Sequence, residues 1–405
     1  MKQHTRSFVA RRRLMLGAMG VAFSLTIPAA SAQSKEIRIA HIVSKTGLIE
    51  AYGKQSALGF MLGLEYATKG TMKVAGRDIV VLQKDDQSKP DMAKSLLLEA
   101  FADENADIAV GASSTPATLS IMPVAEEFKK VLVVDSAISD SITGSKWNKY
   151  IFRVKQNSTQ DSAASAATFD NAGTSIVTLS QDTAYGKEGI AAFKAGLTKA
   201  KIVGEEYVPQ NTTDFTAVGQ RLIEKLRGLP GRKLIYVNTW FGPNDPFKIG
   251  DVGLERYGIE VGAGGNVLTV LPQYKRFPGM EGGITYYYEL PKNPVNDWLV
   301  RESLKRTAAP PDIFQVYGFA AAMSVVTALE KTNGDTNSEK LITAMEGMKF
   351  DTPKGEMTFR KEDHQALQTM YHYKIRVDPN VAWAIPTLVK EIGPNEIKIP
   401  IGNKR

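Results

Sequence analysis

The chain of 405 residues contains no cysteine, which excludes disulfides, thiol nucleophiles, thiolate metal sites and a lipid-modified N-terminal cysteine together. Histidine is nearly as scarce, with four residues. Neither His-Glu-x-x-His nor an EF-hand loop occurs, so no metal and no cofactor are expected. The first 32 residues hold no acid: Lys2, Arg6 and Arg11-Arg12-Arg13 precede an apolar run over 14–27, then Ala30-Ser31-Ala32. A basic head, a short apolar middle and a small-x-small end form the pattern of an export signal. The run is shorter than the roughly 20 apolar residues that span a bilayer, so residues 1–32 are expected to be cleaved after Ala32. The Arg cluster fits either the general or the twin-arginine route. Loss of the five leader bases takes the formal net charge from +7 to +2, which leaves little basis for a nucleic-acid partner. No later segment reads as long and apolar enough to cross a membrane.

What is present is alternation. Strands are expected over 37–43, 79–83, 108–111 and 131–135, with helices over 52–68, 90–104 and 117–129 between them. The strands are near-continuous Val and Ile, the pattern of a parallel sheet covered on both faces. After an extended piece at 150–154 the alternation repeats, with helices over 158–171, 187–199 and 216–227 and strands over 175–180, 202–207 and 234–239. The glycine run Gly262-Ala263-Gly264-Gly265 reads as a flexible turn, followed by a strand over 267–271 and an aromatic strand over 284–288. Helices over 295–306, 313–331 and 338–345 have no strands between them. They serve best as cover for a sheet already built, so the chain is expected to return to its first lobe near Tyr286 and to cross once more near its end.

Two strands end in hydroxyl-rich loops that lead into helices: Ser113-Ser114-Thr115 and Ser136-Ala137-Ile138-Ser139-Asp140. Ser, Thr and Asp are ordinary N-caps. Free N–H groups at a helix start, with hydroxyls beside them, also satisfy carboxylate oxygens, and loops of successive parallel strands converge at the carboxyl edge of the sheet.

These segments, with Ser44-Lys45-Thr46-Gly47, Ala51-Tyr52-Gly53, Tyr150-Ile151-Phe152-Arg153, Asp182-Thr183-Ala184-Tyr185-Gly186-Lys187 and 314–321, resemble the periplasmic solute-binding proteins of ABC transporters, in the leucine/isoleucine/valine-binding branch. The resemblance runs over about 36–377. It implies an α/β fold of two doubly wound parallel-sheet lobes joined by hinge strands, a type I or Venus-flytrap architecture. Lobe 1 would take 33–153 plus about 286–360, and lobe 2 154–285 plus about 361–405. The implied protein is a periplasmic, monomeric, non-enzymatic receptor that closes around a small hydrophobic carboxylate and delivers it to an inner-membrane permease.

The resemblance also implies site residues. A hydroxyl of Ser113, Ser114 or Thr115, the backbone around Ala137 and the hydroxyl of Ser139 would hold the carboxylate. Tyr52 would stand at the rim, Tyr185, Trp240 and Phe241 on the second lobe, and Phe314 as a further wall. Amino-acid binders of the branch set a glutamate of a Gly-Pro-Glu-Gly-like turn against the ligand's ammonium. Here the matching stretch is Ala263-Gly264-Gly265-Asn266, with no acid. An enclosed ammonium without a carboxylate is costly, which favours an aromatic, benzoate-like acid over leucine, with Glu281 or Asp161 as replacements if an amine is bound. A ligand sensor of the same fold is the alternative. His364 in Glu362-Asp363-His364 would suit a hydrolase, but no Gly-x-Ser-x-Gly elbow is present, so it is expected to hydrogen-bond near a hinge.

Overall fold

The Val and Ile runs pair as parallel strands because both of their faces are apolar and helices cover them. The computed structural model describes residues 35–403 apart from 239–243 and 265–266, and only the backbone of 184 and 185; the expected leader lies outside the described residues. The first series comprises β1 (Glu36–Val43), α1 (Glu50–Ala67), β2 (Lys73–Val74), β3 (Arg77–Asp85), α2 (Pro90–Ala102) and β4 (Ile108–Gly111). It continues with α3 (Thr115–Glu127), β5 (Leu132–Val134) and β6 (Ile151–Arg153). The strands lie in the order β2-β3-β1-β4-β5-β6 and are parallel except for the β2–β3 hairpin.

The second series runs α4 (Ser158–Phe169), β7 (Thr174–Gln181), α5 (Ala184–Gly196), β8 (Lys201–Val208), α6 (Thr216–Leu226), β9 (Arg232–Val237), β10 (Ile259–Gly264) and β11 (Glu281–Ile284). Then come α7 (Pro294–Thr307), α8 (Ile313–Lys331), α9 (Ser338–Met345), β12 (Lys349–Thr352), β13 (Gly355–Phe359), β14 (Ala366–Leu367), β15 (Met370–Arg376) and β16 (Ile385–Ile392). The second sheet has the order β16-β15-β11-β10-β9-β7-β8, parallel from β11 to β8 with β15 and β16 antiparallel. Strands β12 to β14 form a small sheet of their own. Their Phe350, Met357, Phe359 and Ala366 share a core with Ile37, Val110 and Tyr317 of the first lobe.

Three segments pass between the lobes, and side chains bind them to one another. Asp161 accepts from Gln156 at 3.1 Å and from Thr285 at 2.9 Å. Gln368 donates to the Val154 carbonyl at 3.1 Å, and Gln365 to that of Lys155 at 2.8 Å. His364 lies here, buried, stacked on Phe152 with its Nδ1 2.9 Å from the Ile151 carbonyl.

Four expectations are corrected. Gly262 to Gly264 are not a turn but part of β10, where α4 presses on the sheet: a Cβ on Gly262 would stand 2.3 Å from the Phe169 ring. Residues 267–271 form a turn and the start of a 3-10 helix, since β10 already has β9 and β11 on its two edges. The strand expected over 284–288 stops at Ile284. The tyrosines beyond it part company, Tyr286 joining Leu62, Leu299 and Phe319 while Tyr287 stays in the second core. Finally, α8 has 19 residues with a hydropathy of 1.4, long and apolar enough to cross a membrane, but 83% of that window is buried inside the protein.

Candidate functional site

Strands β4 and β5 pair directly and in parallel, so the two hydroxyl-rich loops emerge side by side at one edge. Ser113 Oγ accepts from the Ser44 N–H at 2.9 Å, which ties the β4 loop to the β1 loop. Ser114 caps α3 by accepting from Ala117 N–H at 3.3 Å, and Thr115 opens that helix. Ser139 accepts from Ser141 N–H at 3.3 Å, and the two hydroxyls are 2.9 Å apart. Capping uses a lone pair of the hydroxyl and leaves its proton to donate elsewhere. Among the described residues, the backbone N–H groups of Ser114, Ala137 and Ser139 have no acceptor. The loops that cap therefore also keep donors without acceptors among the described residues.

Beneath this edge the acids are already engaged. Ser44 donates to Asp86 and Ser56 to Asp135, all four buried. Burial raises the Asp86 carboxyl above its usual range, against the hydrogen bonds from Ser44 and Ser88 that lower it.

Helices α1 and α8 bring the next pair together. They touch backbone to backbone: a Cβ on Gly59 would lie 1.9 Å from the Gln315 carbonyl oxygen, and one on Gly318 2.3 Å from that of Ser56. This close approach sets Tyr52 and Phe314 in a stack, with centroids 4.4 Å apart and planes 15° from parallel. Burial lifts the Tyr52 phenol above its usual pKa, and the nearby Asp312 adds to the shift.

A residue that sequence reasoning missed stands over this stack. The Lys155 Nζ lies 4.6 Å from the centroid of the Phe314 ring and 4.2 Å from that of Tyr317. Its side chain is buried, and no carboxylate or other hydrogen-bonding partner reaches the ammonium among the described residues. Burial pulls its pKa down to about 7, and the charges of Asp161, Asp312 and Asp135 only partly oppose this. The nearer acids are satisfied elsewhere. Asp161 is held by Gln156 and Thr285, and Asp312 accepts from Ile313 N–H at 2.8 Å and Leu268 N–H at 3.0 Å. Burial raises the carboxyl pKa of both. The Lys354 ammonium donates to Tyr317 and Gln368. The Ser158 N–H donates to Ile138 O at 3.0 Å, so the segment bearing Lys155 runs beside the Ala137–Ser139 loop. A lysine directly after a strand and before a capping box reads as a solvated surface residue; only its place on a segment between lobes could have marked it.

Of the remaining expected residues, Tyr185 lies in the first turn of α5, beyond the carboxyl end of β7, and its side chain is outside the described residues. Trp240 and Phe241 also lie outside them, as do Gly265 and Asn266. Glu281 starts β11 at the amino end of the sheet, where Arg232 reaches it at 3.3 Å and His372 at 3.5 Å. It belongs to a cavity of about 980 Å³ lined in part by Arg232, Glu260, Arg276 and Lys374. Arg232 pairs with Glu260 at 2.8 Å there, so opposite charges meet in its wall. Among the described residues, no group of His, Asp and Glu could hold a metal.

With that geometry in hand, the comparisons bear on the whole chain. The periplasmic binding protein family matches residues 36–379. A Leu/Ile/Val-binding protein homolog 6 of Brucella suis biovar 1 (strain 1330) is 26% identical over 382 residues, covering 89% of this chain and 92% of the relative. A solved ABC-type branched-chain amino acid transporter from Rhodopseudomonas palustris CGA009 is 57% identical with a TM-score of 0.88, covering 91% of this chain and all of the other. A solute-binding protein of an ABC transporter from Rhodopseudomonas palustris BisB5, in complex with 3,4-dihydroxybenzoic acid, is 26% identical with a TM-score of 0.73, covering 91% and 99%.

Proposed function

The chain belongs to the periplasmic binding protein family, and from that premise we propose that its cleft closes on a small hydrophobic carboxylate, with an aromatic, benzoate-like acid favoured. That it is a solute-binding protein of an ABC transporter follows from the family and its relatives. The family serves transport and is not enzymatic. The observation that carries the finer reading is the pair of loops whose N–H groups at Ser114, Ala137 and Ser139 lack acceptors among the described residues, a ready set of donors for carboxylate oxygens. The relative that holds 3,4-dihydroxybenzoic acid supports an aromatic ligand. So does the engagement of Glu281 with Arg232 at the far edge of its sheet.

Tyr52 and Phe314 would form the wall against the ligand's apolar body, with Tyr185, Trp240 and Phe241 closing from the second lobe. Closure is a hinge motion in which contacts on both lobes favour the shut state. The lobe division of the sequence reading, cleavage after Ala32, a monomeric state and docking on an inner-membrane permease belong to the same proposal. A branched-chain amino acid is the second reading, favoured by the name of the 57% identical relative. A thermal-shift screen of the mature protein against benzoates, leucine, isoleucine, valine and dicarboxylates tests both. A ligand at 100 times its dissociation constant adds about 2.7 kcal/mol, and stabilisation by a benzoate but not by the amino acids is expected. Stabilisation by leucine alone would move the assignment to the second reading.

A further inference from the structure

Around the stack of Tyr52 and Phe314 the charged groups are unequally provided for. Asp161 has two side-chain donors, Asp312 has two backbone donors, and Lys354 has Tyr317 and Gln368. Among the described residues, Lys155 alone of these four has only the faces of Phe314 and Tyr317. A buried cation with aromatic faces but no counter-ion is under-compensated. We propose that Lys155 is the residue that selects the ligand's charge, so that the cleft takes monoanionic hydrophobic carboxylates and rejects the matching zwitterionic amino acids. This inference rests on the carboxylate-binding reading above.

A carboxylate gripped by the loops beside the Lys155 segment brings the negative charge that the ammonium lacks. An α-amino acid brings an ammonium as well, one bond further along the ligand. That second cation would meet Lys155 in a place where Asp161 and Asp312 already accept two hydrogen bonds each, and like charges at short range in a buried site repel strongly. Selection between an acid and its amino analogue therefore follows from one side chain, without the glutamate that amino-acid binders carry.

Proton linkage gives a second signature. The groups facing Lys155 are Asp161 from α4, Asp312 at the cap of α8, Asp135 beyond β5, Lys354 between β12 and β13, and the Tyr317 hydroxyl on α8. In the free protein burial holds Lys155 partly deprotonated above pH 7. An anion favours its charged form, so binding at pH 8 should take up protons, and affinity should fall as pH rises further.

The test is isothermal titration of the mature protein with benzoate, 4-hydroxybenzoate, 3,4-dihydroxybenzoate and 4-methyl-2-oxopentanoate. Leucine, which differs from the last only at Cα, where an ammonium replaces the oxo group, is titrated in parallel. Titrations at pH 8 in two buffers of different ionisation enthalpy count the protons. For the wild type, at least one acid should bind with net proton uptake and leucine should bind roughly 100-fold more weakly than its oxo analogue. In Lys155→Met the acids should weaken by about tenfold or more, the uptake should vanish, and the leucine discrimination should narrow. The melting temperature of the ligand-free variant should be raised; if the methionine variant does not fold, Lys155→Gln replaces it. Acid binding by the variant within about threefold of wild type would overturn the role of Lys155 while leaving the carboxylate reading intact. A wild type that prefers leucine would overturn the charge selection. A wild type that binds none of these solutes would overturn the carboxylate reading and this inference with it.

Discussion

The carboxyl edge of the first sheet and the amino edge of the second both gather polar side chains, and the second borders a charged cavity of about 980 Å³. The two regions differ in what their polar groups lack. At the amino edge Arg232 pairs with Glu260 and Glu281, and His372 also approaches Glu281. At the carboxyl edge three backbone N–H groups and one buried ammonium have no acceptor among the described residues. On the proposed reading the receptor edge is the one whose backbone donors the fold leaves without acceptors, whatever the volume or density of charge elsewhere.

Four changes would break or sharpen that contrast. The largest effect should come from Lys155→Met on stability. The folded pKa of Lys155 is lowered to about 7 from the usual 10.5, so protons bind the unfolded chain more readily and the native ammonium destabilises the fold. The variant should exceed wild type by a few kcal/mol below pH 7, and the advantage should shrink as pH rises from 7 towards 10. Urea unfolding at pH 6, 8 and 10 measures it; an advantage that grows with pH would contradict the sign.

Next, Ser139→Ala removes a hydroxyl from the donor set. Loss of one hydrogen bond to a charged group, worth roughly 1.5–3 kcal/mol, should lower the affinity for every acid by about 10- to 100-fold in fluorescence titrations. Equal affinity would remove Ser139 from the site. Phe314→Ala takes away both the stack on Tyr52 and one face from Lys155. An aromatic pair is worth about 0.5–1.5 kcal/mol, so aromatic acids should lose about tenfold while aliphatic acids lose less. Smallest of all, Glu281→Gln should leave ligand affinity unchanged, because its partners lie at the opposite edge; a tenfold change there would erase the distinction between the two regions.

Much of this organisation was legible in residue order. Continuous Val and Ile runs between short polar turns identify buried parallel strands, and the pairing of β4 with β5 follows from their succession. The hydroxyl loops could be found because capping chemistry and anion-binding chemistry use the same residue types. Legibility failed where tertiary packing decides. Gly262 and Gly264 look like a turn until Phe169 of α4 is seen against the first and Ser165 of the same helix against the second. Tyr286 and Tyr287 look like one strand although adjacent side chains enter different lobes. Lys155 carries no local mark at all, since its burial arises from Phe314 and Tyr317, more than 150 positions away.

The contrast between the two edges is tested most directly by a crystal structure of the mature protein with 4-hydroxybenzoate. The account predicts carboxylate oxygens within about 3.2 Å of the N–H groups of Ser114, Ala137 and Ser139, with the ring against Tyr52 and Phe314. A carboxylate bound in the Arg232 cavity, with both hydroxyl loops left empty, would contradict it.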